Sequence, residues 1–283
     1  MVMMKHVDSH QHFWKYDAVE YGWIDDSMAG LKRDFLPADL KPLLEANGFD
    51  GCVAVQARQS LEETRWLLEL AAENAFVMGV VGWVDLRGED LPEVLAGLGG
   101  EKKLVGVRHI VQGEPDDEFV LREDFKRGIG RLKEFGLTYD VLVYPRQLKA
   151  ATKLVREFDE QPFVLDHIAK PLIGEGVMEP WATDVRELAR SGNTMCKLSG
   201  MVTETKWKSW KEEDFRPYLD VVMEAFGAGR VMIGSDWPVC TLSGEYDETV
   251  GVVKRYVERL TETERKAVMG GNCARFYGLG AEG

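Results

Sequence analysis

Positive charge is what this 283-residue chain is short of: 35 Lys and Arg stand against 48 Asp and Glu, for a formal net charge of −13. That balance excludes general affinity for nucleic-acid backbones or anionic bilayers, leaving local basic pockets as the places to bind an anion. Cysteine is scarce as well. The four, Cys52, Cys196, Cys240 and Cys273, are far apart and never spaced as CxxC, so buried free thiols and a reducing compartment, the cytoplasm, are expected. No window approaches the ~20 apolar residues that a membrane helix needs, and Met1–His10 is too short and polar for a secretion signal. No Gly-x-Gly-x-x-Gly opens a helix and no Walker sequence occurs, which argues against a doubly wound nucleotide-binding sheet. Proline is modest at 10 residues and no repeat or low-complexity tract divides the chain. One domain over residues 1–283 is expected.

What is present is an alternation of short apolar runs and helical patterns. Strands are expected at Lys5–Ser9, Cys52–Gln56, Phe76–Val84, Leu104–Val107, Thr138–Val143, Phe163–Asp166, Met195–Leu198 and Val231–Ile233. They are rich in Val, Ile and Leu with little polar alternation, as befits parallel strands buried on both faces. Helical periodicity fills the intervals: Pro37–Ala46, Ser60–Glu73, Leu91–Leu98, Glu123–Phe135, Pro145–Phe158, Pro180–Ser191, Glu213–Phe226 and Glu245–Leu260. The second opens on a capping box, Ser60 with Glu63. Eight strands each followed by a helix predict an α/β fold of the (β/α)₈, or TIM-barrel, type, whose usual length of about 250 residues fits.

In such a barrel the reactive groups collect at the carboxyl ends of the strands. Four of the five histidines fall there. His10 and His12 close the first strand, His109 the fourth and His167 the sixth, and Asp236 closes the eighth. Residues two apart in an extended chain point the same way, so His10 and His12 can serve one centre. With His167 and Asp236 they would form a mixed N/O site suited to one divalent metal, zinc or manganese, although an isolated HxH is more often incidental. An aspartate at the edge of such a site can take a proton from attacking water. Arg58, after the second strand, could orient an oxygen-rich ligand or form an ordinary salt bridge; Arg108 could support His109 or pair with a carboxylate; Lys170 could stabilise a substrate oxygen or be an exposed loop lysine. Trp14, Trp83 and Trp237 could line a pocket for a sugar ring, or simply pack. Trp181, Trp207 and Trp210 read as a surface cluster that could cover it.

Taken in order, several segments resemble the amidohydrolase superfamily, in its branch of sugar-acid lactonases of the fuconolactonase and rhamnonolactonase kind. They are Asp8-Ser9-His10-Gln11-His12-Phe13-Trp14, Tyr21-Gly22-Trp23-Ile24, Gly106-Val107-Arg108-His109, Asp166-His167-Ile168-Ala169-Lys170-Pro171, Lys197-Leu198-Ser199-Gly200, Gly234-Ser235-Asp236-Trp237-Pro238 and Gly271-Asn272-Cys273-Ala274-Arg275-Phe276-Tyr277. The resemblance implies a distorted (β/α)₈ barrel that hydrolyses a cyclic ester. It implies Asp236 as general base, in a mouth shared with His10, His12 and His167, and His109 and Arg108 near the substrate. The metal ligands would be His10, His12, His167 and Asp236. No lysine clearly matches the carboxylated residue that bridges two ions, so one ion is expected, and some members of this branch work without a tightly held metal. The implied partner is a neutral sugar lactone, with further copies of the chain in a homo-oligomer as the other partner to consider, and neither nucleic acid nor membrane. A decarboxylase of the same superfamily and a non-enzymatic binding protein are the alternatives.

Overall fold

The structure is a computed structural model that describes residues 5–280. Residues 1–4 and 281–283, the ends of the expected 1–283 domain, lie outside the described residues. Eight parallel strands follow one another in chain order: β1 (Val7–Gln11), β2 (Gly51–Val55), β3 (Val77–Gly82), β4 (Leu104–His109), β5 (Thr138–Val141), β6 (Phe163–Leu165), β7 (Thr194–Leu198) and β8 (Val231–Ile233). After them come, in turn, α1 (Pro37–Ala46), α2 (Leu61–Glu73), α3 (Leu91–Leu98), α4 (Glu123–Leu132), α5 (Leu148–Glu157), α6 (Trp181–Ala189), α7 (Glu212–Phe226) and α8 (Tyr246–Val257). This is the expected (β/α)₈ order.

Strand ends differ from the expectation for local reasons. β1 begins at Val7 rather than Lys5 and runs on to Gln11, which pairs with Ala54. β3 stops at Gly82 because the Trp83 backbone N–H donates to the Thr64 hydroxyl at 2.7 Å instead of to a neighbouring strand. β4 extends to His109, in register with Val141. β5 ends at Val141, since the Leu142 carbonyl accepts from Gln112 in a loop. α9 (Glu262–Lys266) and α10 (Asn272–Tyr277) were not expected. Their signal was there, in Thr261 and Glu264, which cap α9 reciprocally.

The barrel closes imperfectly. β8 and β1 share no regular ladder. Two backbone bonds span the seam, Asp236 N–H to the His10 carbonyl at 2.8 Å and His12 N–H to the Trp237 carbonyl at 2.7 Å. Below them the Asp8 carboxylate stands in for a strand, accepting from the Ser235 N–H at 2.9 Å and the Tyr246 hydroxyl at 2.9 Å. Gly234 permits the approach, because a Cβ there would lie 2.8 Å from that of His10. The barrel interior is hydrocarbon in its lower half. Val53, Val55, Val81, Val105, Val164, Met195 and Met232 pack there against Cys273 and Tyr277 of α10, which plugs the floor. A second and larger apolar layer lies between strands and helices.

Ser60 caps α2 as expected, accepting from the Glu63 N–H. The Glu63 carboxylate does not complete the box. It turns inward to accept from the N–H groups of Ala57 and Arg58, both at 3.0 Å, and from the Tyr21 hydroxyl at 3.1 Å. This latch ties the loop after β2 to the loop after β1. Burial pushes the Glu63 pKa up to about 7, so the folded state favours its protonated form more than the unfolded chain does. The stabilisation is full below the ordinary value near 4.5 and is lost as pH rises through about 7. Relative to Glu63→Gln, the wild-type protein is therefore expected to lose on the order of 3 kcal/mol between those values. Denaturant melts of both proteins across this range check it, and parallel curves would refute the latch.

Candidate active site

Crossing the seam brings together residues 224 apart in sequence, His12 Nε2 and Asp236 Oδ1, at 3.2 Å. His10 Nε2 lies 3.2 Å from His12 Nε2 and 3.8 Å from Asp236 Oδ1. His167 arrives from β6 through an unusual turn in which His167, Ile168, Ala169 and Lys170 all have positive φ, between 49° and 61°. The turn is clamped by the Trp181 indole, which donates to the Ile168 carbonyl at 2.7 Å. It needs Gly200 opposite, where a Cβ would overlap the His167 ring. His167 Nε2 thereby reaches to 3.8 Å from Asp236 Oδ1. Asp236 itself sits at φ 59°. Left-handed backbone costs roughly 1–2 kcal/mol per non-glycine residue, and such strain gathers where geometry is over-determined by the surroundings.

The tautomers follow from the partners. His12 Nδ1 lies 2.8 Å from the Val55 carbonyl, which can only accept, so the proton is on Nδ1 and the Nε2 lone pair faces the pocket. His10 Nε2 meets the Arg108 guanidinium at 3.2 Å, which can only donate, so its Nε2 also carries a lone pair. Its Nδ1 proton then points to Asp166 Oδ1 at 3.3 Å. His167 Nδ1 contacts the Ser199 hydroxyl at 3.0 Å, which can donate or accept, so this ring can carry its proton on either nitrogen. Burial lowers the pKa of His10 well below its ordinary value and that of His167 to about 4. Burial would raise Asp236, but His167, His12 and His10 override it and hold the carboxyl below the usual carboxylate range.

Two lone pairs and a carboxylate oxygen thus converge at separations of 3.2–3.8 Å. Arg108 meets the His10 lone pair, while the His12 lone pair and the Asp236 oxygen face each other with no proton between them and repel unless a cation joins them. Zinc bonds of about 2.0–2.2 Å in a tetrahedral site place neighbouring ligand atoms about 3.3 Å apart, so His10, His12 and Asp236 fit a divalent metal, with His167 on the fourth side. Asp166 groups with His10 and His167 as well, but it faces the opposite nitrogen of His10 and is paired with Arg108 at 3.0 Å and Lys197 at 3.1 Å. Its place is behind the imidazoles.

The pocket above this centre, about 170 Å³, is lined by His12, Arg108, His167, Lys170 and Asp236 on its polar side. Trp23, Ala57, Ile110, Leu142 and Val239 line its apolar side. Lys170 is joined to Glu204 at 3.7 Å. Other residues singled out in the sequence lie elsewhere. Trp14 is fully buried against Tyr21 and Phe35, its indole N–H donating to the Arg33 carbonyl at 2.9 Å. Trp237 is buried against Phe13 and Phe35. The tryptophan that does face the pocket is Trp23, 39% exposed. Arg58 is engaged by Glu20 and Glu62. Trp83 donates to His109 Nδ1 at 3.4 Å, and His109 Nε2 is taken by Glu114 at 2.7 Å, so both nitrogens of His109 have partners outside the pocket. Trp181, expected at the surface, is 2% exposed and serves the turn instead. Sequence reading passed over Lys197 and Asp140, whose charges lie within strand patterns that otherwise read as apolar.

An eight-stranded parallel barrel with imidazoles and one aspartate converging at the carboxyl ends of β1, β6 and β8 is a (β/α)₈ enzyme scaffold with a candidate metal centre at its mouth. The amidohydrolase family model matches residues 7–279, and the chain belongs to that family. It is 44% identical to an L-fucono-1,5-lactonase of Burkholderia multivorans over 96% of either chain. An L-fucono-1,5-lactonase of Burkholderia ambifaria is 36% identical, over 96% of this chain and 94% of that one. A crystal structure of a Burkholderia multivorans amidohydrolase with bound zinc superposes with a TM-score of 0.94 at 44% identity, covering 97% of this chain and 99% of the other. Among the described residues no helix is long and apolar enough to cross a membrane.

If His10, His12 and Asp236 hold one ion, His12→Gln and Asp236→Asn each weaken zinc binding, by about tenfold or more for a lost ligand. His109→Gln leaves it unchanged. Competition against a chromophoric chelator distinguishes them, and equal affinity in all three variants would dissolve the grouping.

Proposed function

We propose that this chain is a lactonase that opens a neutral sugar-acid lactone, of the L-fucono-1,5-lactone type, to the free acid. The observation that carries the reading is Asp236, an ionised carboxylate held among three imidazoles at the floor of a pocket sized for one ring. The lactonases named above support the substrate class. Neutrality is supported by the pocket's own charges. Arg108 is matched by Asp166 and Lys170 by Glu204, so neither cation is left over for a substrate carboxylate.

The lactone carbonyl would lie toward Lys170, whose ammonium can take up charge as the carbonyl carbon becomes tetrahedral, while Arg108, its N–H groups engaged by Gln56, His10 and Asp166, contributes only its positive field. Its ring would lie against Trp23, Ile110 and Leu142. A divalent ion held by His10, His12 and Asp236, with His167 beside them, supplies Lewis acidity and lowers the pKa of water at the site. Asp236, ionised at neutral pH, orients the attacking water and receives its proton. When the ring C–O bond breaks, the proton passes from Asp236 to the departing alkoxide, leaving the hydroxy acid. His12, fixed by the Val55 carbonyl, aims its Nε2 lone pair at the same centre as Asp236.

Asp236→Asn is expected to keep the fold and to lower kcat by about 10³–10⁴-fold, the scale of a positioned proton acceptor. Turnover of freshly prepared L-fucono-1,5-lactone, followed with a pH indicator on chelator-stripped and zinc-reloaded enzyme, provides the measurement. Near-wild-type turnover by a folded variant would remove Asp236 from the reaction, and no turnover of any aldonolactone by the wild-type enzyme would remove the substrate class.

A further inference from the structure

Directly beneath the histidines, where the barrel interior changes from hydrocarbon to polar, lies a fully buried set of charges. Lys197 of β7 donates to Asp140 Oδ2 of β5 at 2.5 Å and lies 3.1 Å from Asp166 Oδ1. The other oxygen of Asp166 receives Arg108 Nη1 at 3.0 Å. Arg108 is itself held by Gln56, whose backbone carbonyl and side-chain oxygen accept from Nη2 at 2.5 and 2.7 Å. From below, the Tyr277 hydroxyl of α10 reaches Asp140 at 2.9 Å. The side chains of Lys197, Asp140 and Asp166 are 0% exposed.

We infer that Tyr277, Asp140 and Lys197 are positioning residues: they form a column of hydrogen bonds and ion pairs from the barrel floor to Asp166 that fixes the orientation and tautomer of His10. Asp166 Oδ1 stands 3.3 Å from His10 Nδ1, a carboxylate oxygen beside that nitrogen, and Lys197 at 3.1 Å decides where it sits. Lys197 Nζ lies 3.3 Å from the same Nδ1 and could only donate to it; Arg108 already donates at Nε2, a neutral imidazole accepts at one nitrogen only, and the Asp166 carboxylate beside Nδ1 favours the proton there. With the proton held toward Asp166, the His10 Nε2 lone pair is presented to the pocket. The set is balanced, two cations against two carboxylates. Burying each ion costs several kcal/mol before pairing, and apolar residues of similar volume commonly serve stability as well or better. The Val and Met layer just below shows that this barrel fills its interior with such residues where orientation is not at stake. The inference rests on His10 being a site residue and not on the identity of the substrate.

The test uses the full-length enzyme with two variants. Lys197→Met combined with Asp140→Asn removes one charge of each sign, and Tyr277→Phe removes a single hydrogen bond. Three quantities are read: the His10 side-chain ¹⁵N shifts of metal-free protein, zinc affinity by chelator competition, and kcat apart from KM. In the double variant the Nδ1-protonated signature of His10 is expected to give way to mixed tautomers. Zinc affinity should fall about 10–100-fold, as for other lost supports of a histidine ligand. The fall in turnover should appear in kcat with KM unchanged, because the column does not touch substrate. Tyr277→Phe should shift the same readouts in the same direction by roughly twofold to tenfold, the worth of one hydrogen bond. Wild-type shifts and zinc affinity in a folded double variant would overturn the inference. Should the double variant not fold, unchanged shifts and affinity in Tyr277→Phe would overturn it. The tautomer and zinc readouts stand even if no lactone is turned over, which separates this inference from the substrate assignment.

Discussion

The site depends on how the last strand meets the first. Two backbone hydrogen bonds, between Asp236 and His10 and between His12 and Trp237, hold the histidine-bearing end of β1 against the carboxylate that follows β8. A regular ladder would fix that spacing through many bonds. Here the lower part of the seam is given over to the Asp8 carboxylate, which accepts from Ser235 and Tyr246. Burial raises the pKa of Asp8, while its bonds to Ser235, His10 and Tyr246 draw it back. The distortion of the barrel and the formation of the site are therefore one event. Opening the seam to complete the sheet would carry Asp236 away from both imidazoles.

Strain is concentrated in the same place. The left-handed run from His167 to Lys170 includes Ile168, a β-branched residue for which that conformation is especially costly. It persists because its neighbours over-determine it. Ile168 and Ala169 are fully buried, Trp181 holds the Ile168 carbonyl, and the Lys170 N–H closes the turn on the His167 carbonyl at 2.8 Å. One consequence is that His167 and Lys170 both line the pocket although they are three positions apart in a segment too short for a helix of ordinary hand. Pre-set geometry of this kind spares the site from reorganising as charge develops.

Electrostatics separates the pocket from the protein as a whole. The chain is strongly acidic, yet the interior charges near the site occur as matched pairs. Burial alone would raise the pKa of Asp166, but Lys197, His10 and Arg108 override it and hold the carboxyl well below the usual range. Asp140, deeper in the barrel, is pushed up to about 6 by burial, with Lys197 opposing. The carboxylate nearer the imidazoles is thus the one most firmly kept ionised. The four cysteines play no part. All are buried, and burial raises each thiol pKa, which leaves them unreactive.

Much of this was legible in the chain itself. Short Val- and Ile-rich runs spaced by helical periodicity allow few folds other than a parallel barrel, because such strands must be covered on both faces. His10, His12, His167 and Asp236 could be grouped because strand ends are the one place a barrel brings distant residues together. What could not be read was direction. Trp14 and Trp23 are equally tryptophan in the sequence, and only packing sends one to the core and the other to the pocket. His109 ends a strand just as His12 does, yet Trp83 and Glu114 claim its nitrogens from loops that no spacing rule aligns. The left-handed turn has no glycine to announce it, since the glycine that permits it, Gly200, lies on another strand's loop. Lys197 was hidden for the opposite reason: a lysine in an apolar strand reads as a flaw until Asp140 and Asp166 are seen on either side of it. Periodicity and composition determined the barrel and which of its ends carries the chemistry. Which side chains share a centre was decided by tertiary structure, because orientation depends on partners far away in sequence.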